Sequence, residues 1–569
     1  MKKENGRVIF ETEDELPITA VSSASTEFNK TGSWKYLEPY YENLTPPCIN
    51  KCLTGQDIVT QLRLTEEGRF AEAVQVLYQA NPFPSITGRV CPHPCEQPCN
   101  RKAYGGGITI RAIEHFLGDY AATHHVMPPA ASPNGKAIAV IGSGPAGLSA
   151  AFFLSLLGYS ITVFEALQWI GGLLRTGIPS YRLPKYVVDD EVQKLRDLGV
   201  QFEMNKRMGK NLHLSELGNF SATLLAIGRG ASMKLGLPAE EHDDVWNGID
   251  LLQKINVGEP LTIGPKVVVI GGGNTAIDCA RSLLRLGCEP KIIYRRTKAE
   301  MPAFKDEVKQ TLEEEIPIDY LIAPMKLIEE NGKLIAIECL KTRLGEKDES
   351  GRQRPVPIEG SNFSIPCDAV VKALGEKLDG CGLPETLKFD REKIIIENGY
   401  RTSHPGIFSC GDCANGEGTV GDAIRHGREA SLAIHASLLE MPYAPSLIPT
   451  RQGVNPEIAK FKQFNLAYFQ KSAPPTLQAL QPNERIYGFQ EIESGLARNE
   501  AMREAARCFK CGTCTMCDNC RVFCPDMAIR PKRDRHSYEI NYDYCKGCGV
   551  CVEECPRGAI HLRKVDVGN

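Results

Sequence analysis

Two stretches of this chain share one order of apolar and polar positions. Residues 136–165 read KAIAVIGSGPAGLSAAFFLSLLGYSITVFE, and residues 266–296 read KVVVIGGGNTAIDCARSLLRLGCEPKIIYRR. Each begins with a short apolar run, passes through a glycine-rich turn into a longer segment of helical character, and ends with a second apolar run. The pattern predicts a strand, a helix and a parallel strand in both stretches, and therefore two α/β units.

The apolar pattern is different outside these two units. GITIRAIEHFLGDYA predicts a helix whose apolar face carries Ile110, Ile113, Phe116, Leu117 and Tyr120. Residues 441–500 contain prolines and no repeated period, which predicts an extended linker, and ESGLARNEAMREAARC after it predicts a helix. The N-terminal stretch MKKENGRVIFETEDELP has no apolar run, and the most apolar segment, AAFFLSLLGYSITVF, is broken by glycine and serine. We therefore expect neither a membrane span nor a signal peptide, and a cytoplasmic protein.

Composition adds a cysteine-rich character at both ends. Of the 22 cysteines in 569 residues, five lie between Cys48 and Cys99 and ten between Cys508 and Cys555. Without a secretion signal, so many thiols indicate metal binding rather than disulfides. The net charge of −4 offers no basic stripe for nucleic acid. The length predicts three or more domains.

The C-terminal cysteines form two copies of a C-x2-C-x2-C-x3-C-P motif. This spacing is typical of paired [4Fe-4S] clusters, in which the fourth cysteine of each run binds the other cluster. Zinc or a disulfide scaffold is the alternative, but zinc sites do not need the interlocked C-P ending. Cys508 and Cys511 could support a further site, although spare structural thiols are the favoured interpretation. The predicted ligand sets are Cys514, Cys517, Cys520 with Cys555, and Cys545, Cys548, Cys551 with Cys524.

The glycine turns indicate two dinucleotide sites, so the α/β units are expected to be Rossmann-like. In the first turn Gly142, Gly144 and Gly147 form G-x-G-x-x-G, and Glu165 ends the second strand, where a carboxylate can accept from ribose hydroxyls. The second turn has Gly271, Gly273 and Ala276, and its second strand ends in Arg295 and Arg296. These arginines can pair with the 2′-phosphate of NADP, so the second site is expected to prefer NADP, with NAD still possible. The alternative is that they only occupy a solvated strand end.

A later stretch, GIFSCGDCANGEGTVGDAIRHGREAS from Gly406, predicts a strand, a turn and a helix. Asp412 after Gly411 can hold the ribityl chain of FAD, and a helix N-terminus between Thr419 and Ala423 can stabilise a reduced flavin. The C-x2-C of Cys410 and Cys413 could indicate a disulfide reductase. We discount that interpretation because Asp412 between them belongs to the flavin motif.

The central region resembles the small subunit of NADPH-dependent glutamate synthase in IGSGPAGLSAA, GGLLRTGIPSYRLPK, VIGGGNTAIDCARSL, YRRTKAEMPAFKDEV and CGDCANG. The resemblance implies an FAD domain split by an inserted NAD(P) domain. The expected domains are a helical iron–sulfur domain (1–130), FAD (131–245 and 363–440), NAD(P) (246–362), linker (441–500) and an α+β bacterial ferredoxin-like domain (501–569). Expected cofactor contacts further include Pro145, Ala146, Gly172, Leu173, Arg175, Gly228, Asn274, Thr275 and Val420.

The N-terminal cysteines resemble this family in part. Relatives carry two [4Fe-4S] clusters there and use a further C-x2-C just before the position of Cys48, but LEPYYENLTPP has no cysteine. We therefore expect one N-terminal cluster, and three in the chain. The resemblance implies Cys52, Cys91 and Cys95 as ligands, with Glu114 as the fourth and Cys48 or Cys99 as alternatives.

These features predict an NAD(P)H:acceptor oxidoreductase subunit that moves electrons between NADPH, FAD and clusters. The partner would be a larger redox enzyme or a ferredoxin that docks at the C-terminal cluster domain, and a homodimer is possible. Alternatives are a flavin-based bifurcating NADPH/ferredoxin oxidoreductase and a glutamate synthase small subunit proper. A ferredoxin-like assembly module with relic dinucleotide folds is disfavoured by the intact glycines. No catalytic triad or hydrolase motif is evident.

Overall fold

The computed structural model describes residues 2–4, 7–15, 30–347, 351–380, 382–390, 392–416, 418–443, 455–533 and 537–565. Across these ranges, two α/β domains form the centre, and the two cysteine-rich ends of the chain pack together beside them. No helix in the described ranges is long and apolar enough to cross a membrane.

The N-terminal region is mainly helical. Asp57 caps one of its helices by accepting from the Thr60 amide at 3.1 Å. Helices α4 and α5, given below, cross closely because Gly88 and Gly118 lie at the crossing, where a Cβ would approach the other helix's backbone within 2.4 Å. The elements are β1 (Lys2–Glu4), β2 (Arg7–Ile9), β3 (Leu37–Tyr41), β4 (Leu44–Thr45), α1 (Pro47–Lys51), α2 (Ile58–Glu66), α3 (Phe70–Tyr78), α4 (Pro84–Val90) and α5 (Ile110–Thr123).

The first α/β domain begins with the predicted strand, glycine turn and helix. The two strands that flank this helix are parallel and in register, with Ala137 opposite Ser160. The elements are β5 (Ala137–Ile141), α6 (Pro145–Leu156), β6 (Ser160–Phe164), α7 (Leu173–Thr176), α8 (Lys185–Asp197), β7 (Gln201–Glu203), β8 (Ala222–Leu225) and β9 (Ala231–Ser232).

The second α/β domain has a parallel sheet covered on both faces. Helices pack on one face through Leu251 and Ile277, and an antiparallel sheet packs on the other through Leu327 and Ile337. Its elements are β10 (Val245–Asn247), α9 (Gly248–Val257), β11 (Lys266–Ile270), α10 (Asn274–Arg285), β12 (Glu289–Tyr294), α11 (Lys305–Glu313), β13 (Ile318–Tyr320), β14 (Ile322–Glu330), β15 (Lys333–Lys347), β16 (Gln353–Pro357), β17 (Phe363–Pro366) and β18 (Ala369–Lys372). The parallel order is β10-β18-β11-β12-β13.

The chain then returns to the first domain and continues to the C-terminal cysteines. The first sheet is completed in the order β22-β8-β5-β6-β7. The remaining elements are β19 (Glu376–Lys377), β20 (Phe389–Asp390), β21 (Lys393–Ile394), β22 (Ile407–Ser409), α12 (Val420–Leu438), β23 (Asn455–Ile458), α13 (Pro482–Arg485), α14 (Arg498–Ala506), α15 (Asn519–Val522), β24 (Ile529–Pro531), β25 (Tyr538–Ile540), α16 (Val550–Glu553) and β26 (Ile560–Lys564).

The sheet topology places three boundaries differently from the sequence expectation. Strands β17 and β18 belong to the second domain, so the chain returns to the first domain after Lys372 and not at 363. Strand β3 pairs with β26, so residues 37–41 join the C-terminal cluster domain. Strand β23, within the expected linker, pairs with β4. Such pairings join segments far apart in sequence, so no local pattern reveals them.

Candidate cofactor and cluster sites

The first glycine turn leaves an open space at the N-terminus of α6. Gly142 has φ +106°, and a Cβ there would lie 2.4 Å from the Ala226 carbonyl oxygen. A Cβ on Gly147 would lie 2.0 Å from the Gly142 oxygen. Gly144, by contrast, has nothing within 4 Å of its Cβ position. The helix N-terminus is thus accessible through Gly144, as a pyrophosphate group requires.

Glu165 lies at the end of β6 and is buried. One of its carboxylate oxygens accepts from the Ser143 amide at 3.0 Å and from the Ser143 hydroxyl at 2.5 Å, and the other accepts from the Leu167 amide at 2.9 Å. The carboxylate therefore holds the glycine turn against the second strand, in addition to any ribose it binds.

The expected flavin contacts approach this turn from two other segments. A Cβ on Gly172 would lie 2.8 Å from the Cα of Gly144, so α7 begins directly over the turn. Arg175 in α7 donates to the Ile170 carbonyl at 2.9 Å and pairs with Asp189. Leu173 is exposed, and Gly228 follows β8 with φ +65° and open space at its Cβ position.

Helix α12 packs closely on α6. Cβ positions on Gly411 and Gly427 would lie 2.9 Å and 2.1 Å from atoms of Ala146. At the start of α12, Thr419 and Asp422 form a reciprocal cap, because the Thr419 amide donates to Asp422 at 3.0 Å and the Asp422 amide donates back at 3.3 Å. Asp412 is partly buried in the turn between Gly411 and this cap, with Val420 and Ala423 in the first turn of the helix.

The second glycine turn has the same form. Gly271 has φ +147°, and a Cβ there would lie 2.2 Å from the Ala373 oxygen, while the Cβ position of Gly273 is open. Ala276 is fully buried in the first turn of α10. Asn274 accepts from the Phe304 amide at 3.0 Å, and the Thr275 hydroxyl lies 3.5 Å from Glu376.

The two arginines after β12 differ in position. Arg295 is exposed at the carboxyl end of the strand. Arg296 is buried, and its Nε donates to the Gln353 carbonyl at 2.8 Å. Arg296 therefore holds strand β16, and Arg295 is the better candidate for a 2′-phosphate.

A buried ion-pair network joins the two α/β domains. Arg182 of the first domain donates to both carboxylate oxygens of Asp278 at 2.9 and 2.8 Å and pairs with Glu307 at 3.0 Å. The guanidinium of Arg285 lies 4.0 Å from the ring centre of Tyr181. The network fixes the position of the first α/β domain relative to the second.

Cys52, Cys91, Cys95 and Glu114 come together, and we name them the inner site. Burial raises the pKa of the Cys91 and Cys95 thiols, and the nearby Glu114 and Cys52 raise it further. Burial also raises the pKa of Glu114 to about 7. The Glu114 Oε1 atom accepts from Asn81 at 2.9 Å, from Gln56 at 3.2 Å and from Thr87. Three donors on one oxygen fix this carboxylate among the thiols.

The cysteines of the C-terminal domain form two groups. Cys514, Cys517, Cys520 and Cys555 line one cavity together with Tyr41. Burial raises the pKa of Cys551 to about 12, with further contributions from its neighbours Cys545, Cys524, Cys520 and Cys548. Cys551 therefore lies near the three other cysteines of its predicted set and also near Cys520 of the first set. The crossed assignment of these cysteines to two clusters stays a prediction.

Several polar groups around the C-terminal domain lie within hydrogen-bond distance of cysteine sulfurs. The Ala528 amide lies 3.3 Å from Cys524 Sγ, and the Ala559 amide lies 3.4 Å from Cys555 Sγ. The Tyr41 hydroxyl lies 3.1 Å from Cys520 Sγ. Such hydrogen bonds tune the potential of a bound cluster.

The other cysteines divide into two cases. Cys410 and Cys413 are fully buried, and Cys413 Sγ lies 3.2 Å from the Cys410 carbonyl oxygen, which fits structural thiols. Every cysteine in the described ranges is free, and those ranges contain no group of three or more His, Cys, Asp or Glu residues suited to a single metal ion. Cys48, Cys99, Cys508 and Cys511 line one further cavity together. The sequence analysis did not predict this fourth group of cysteines.

A signal for that fourth group was present in the sequence. Cys508 and Cys511 have the C-x2-C spacing that is absent before Cys48. The two segments are more than 400 residues apart in the chain, so the spacing alone did not connect them.

Family models match most of the chain. Residues 136–427 match pyridine nucleotide-disulphide oxidoreductase, residues 41–126 match dihydropyrimidine dehydrogenase domain II, 4Fe-4S cluster, and residues 538–561 match 4Fe-4S binding domain.

Three relatives illustrate the similarity. The NADP(+)-dependent formate dehydrogenase subunit beta of Moorella thermoacetica is 33% identical over 83% of this chain and 71% of its own length. The NADPH-Fe(3+) oxidoreductase subunit beta of Geobacter sulfurreducens is 33% identical over 83% and 76%. The glutamate synthase [NADPH] small chain of Escherichia coli is 34% identical over 68% and 87%. The predicted resemblance to the glutamate synthase small subunit is confirmed, and the chain belongs to the pyridine nucleotide-disulphide oxidoreductase family, with 4Fe-4S domains at both ends.

Proposed function

We propose that this chain is an NAD(P)H:acceptor oxidoreductase subunit that carries electrons between NADPH, FAD and [4Fe-4S] clusters, to or from a partner redox enzyme. Bound FAD exchanges hydride with a nicotinamide and single electrons with clusters. In this proposal the glycine turn of α6 binds FAD, the turn of α10 binds NADP(H), and the inner site and the two C-terminal groups bind clusters. Because NADP(H) and reduced thiols are required, we place the protein in the cytoplasm.

One observation carries the proposal: the inner site directly adjoins α12, the helix whose N-terminus is expected to contact the flavin. Leu53, next to Cys52 in the chain, contacts the first turn of α12, where a Cβ on Gly421 would lie 3.0 Å from the Leu53 Cβ. A guanidinium nitrogen of Arg428 in α12 lies 3.4 Å from the Cβ position of Gly55. A cluster held by Cys52 would therefore lie beside the expected flavin position.

The partner is proposed to dock at the C-terminal domain. Val522, Phe523 and Met527, around the Cys524 ligand position, are exposed apolar side chains. The names of two relatives, subunits beta of a formate dehydrogenase and of an Fe(3+) oxidoreductase, support a multisubunit enzyme of this kind.

An anaerobic titration of the purified protein with NADPH, followed by absorbance and EPR, tests the function. We expect the flavin to bleach and reduced-cluster signals to develop with it. A Cys52→Ser variant tests whether electrons pass through the inner site. Its flavin should bleach as in the unmodified chain, while its C-terminal clusters stay oxidised on the same time scale. A protein without bound flavin, or a flavin that NADPH does not reduce, would contradict the proposal.

A further inference from the structure

Four cysteines from opposite ends of the chain line one cavity between the inner site and the C-terminal domain. Cys48 lies in α1, and Cys99 precedes a short 3-10 helix of residues 100–103. Cys508 and Cys511 follow α14. We name these four residues the junction site. All four line the same cavity.

The four thiols interact with one another in a water-poor setting. The pKa of Cys48 is raised well above its ordinary value by burial and then by Cys508, Cys511 and Cys99. Burial, with a contribution from Cys99, raises the pKa of Cys508 to about 11. The walls of the cavity include the apolar side chains of Val59, Leu62, Ile108 and Ile110.

The surroundings of the cavity are suited to an anionic group. Arg101 lines it and is 1% exposed, and its buried Nε has no hydrogen-bond partner among the described residues. The Lys510 amide lies 3.3 Å from Cys508 Sγ, and the Asn100 side-chain amide lies 3.6 Å from Cys511 Sγ. A buried cation and two donors directed at sulfur are the means by which proteins stabilise a thiolate-bound cluster.

We propose that Cys48, Cys99, Cys508 and Cys511 bind a fourth [4Fe-4S] cluster, assembled from both ends of the chain. In this proposal Cys508 and Cys511 replace the C-x2-C that is missing before Cys48, and they are ligands rather than spare structural thiols. A zinc ion is the alternative occupant of four thiolates, and the metal analysis described below distinguishes it from a cluster.

The position of the junction site gives it a role within the proposed function. Cys48 and Cys52 are one helical turn apart, and Cys511 and Cys514 are separated by two residues. The junction site therefore connects the inner site to the first C-terminal group, and electrons would pass through it. This role rests on the proposed function, whereas the metal site itself does not.

Metal counting on anaerobically purified protein tests the site. Four clusters require about sixteen irons per chain, and three require about twelve. We expect about sixteen in the unmodified chain and about twelve in Cys508→Ser/Cys511→Ser, with FAD content unchanged. The control Cys339→Ser/Cys367→Ser replaces two buried, neighbouring thiols of the second domain and should retain about sixteen.

Two results would overturn the proposal. One is an iron content of about twelve per unmodified chain. This result would exclude a fourth cluster even if the double variant failed to fold. The other is one zinc per chain that the double variant loses. Flavin bleaching by NADPH is measured on the same samples, so failure of the proposed function would be seen separately from failure of the metal site.

Discussion

Arg295 and Arg296 follow the same strand, but their side chains have different surroundings. Arg295 is exposed at the strand end, and Arg296 is buried against the Gln353 carbonyl. Arg295→Ala is expected to raise KM for NADPH about 10- to 100-fold and to leave KM for NADH unchanged, because one charge-assisted contact contributes roughly 1.5–3 kcal/mol. Steady-state kinetics with both nucleotides measure this. Equal effects on both would contradict the assignment, and Lys333→Ala, at the exposed start of β15, is the control.

Glu114 offers a second prediction at this scale. As an anionic ligand it would favour the oxidised state of the inner cluster. Glu114→Gln is therefore expected to raise the reduction potential of one cluster, measured by an EPR-monitored redox titration. Glu191→Gln is the matched control, because Glu191 is also buried and also accepts from a hydroxyl, that of Ser85. An unchanged potential together with unchanged iron content would exclude Glu114 as a ligand.

His426 in α12 gives a pH prediction. Burial, with a contribution from Arg425, lowers its pKa to about 4. Between pH 6.5 and 4 the unfolded chain therefore binds more protons than the folded protein, so the free energy of unfolding falls as the pH drops through this window. Thermal unfolding can be monitored by the release of flavin. Between pH 7 and 5.5, the Tm of the His426→Gln variant should fall less than the Tm of the unmodified chain. Parallel curves for the two proteins would show that His426 does not contribute.

At the scale of elements, β3 ties an N-terminal segment to the C-terminal cluster domain. It pairs with β26 from Leu37 to Tyr41, and the Gly32 amide donates to the Asp543 carbonyl at 2.8 Å. Tyr40→Pro should disrupt this ladder, because proline cannot donate to it. We expect NADPH to reduce the flavin at the normal rate and the C-terminal clusters more slowly, measured by stopped-flow absorbance. Tyr40→Ala, which keeps the backbone, should behave like the unmodified chain.

The elements also show how far the sequence alone could go. The βαβ units and their open glycines, Gly144 and Gly273, were predictable because both depend on local pattern. The burial of Arg296 was not, since it depends on strand β16, more than fifty residues further along. The junction site was missed for the same reason. Its cysteines have recognisable spacings, but only tertiary packing joins them.

At the scale of the whole molecule, the Arg182–Asp278 network sets how the two dinucleotide sites face one another. Removing one partner of a buried pair costs roughly 3–5 kcal/mol. Arg182→Ala should therefore loosen the interface between the domains and slow flavin reduction by NADPH more than it changes nucleotide affinity. Single-turnover kinetics with a fluorescence measurement of Kd separate the two. Arg182→Lys, which keeps the charge, should retain more of the rate.

The junction site also has a consequence for how the protein is made. Two of its cysteines are synthesised within the first hundred residues, and the other two only after residue 507. The proposed cluster therefore cannot be completed until the chain has been synthesised past Cys511. A chain interrupted before residue 508 would carry only half of the junction site.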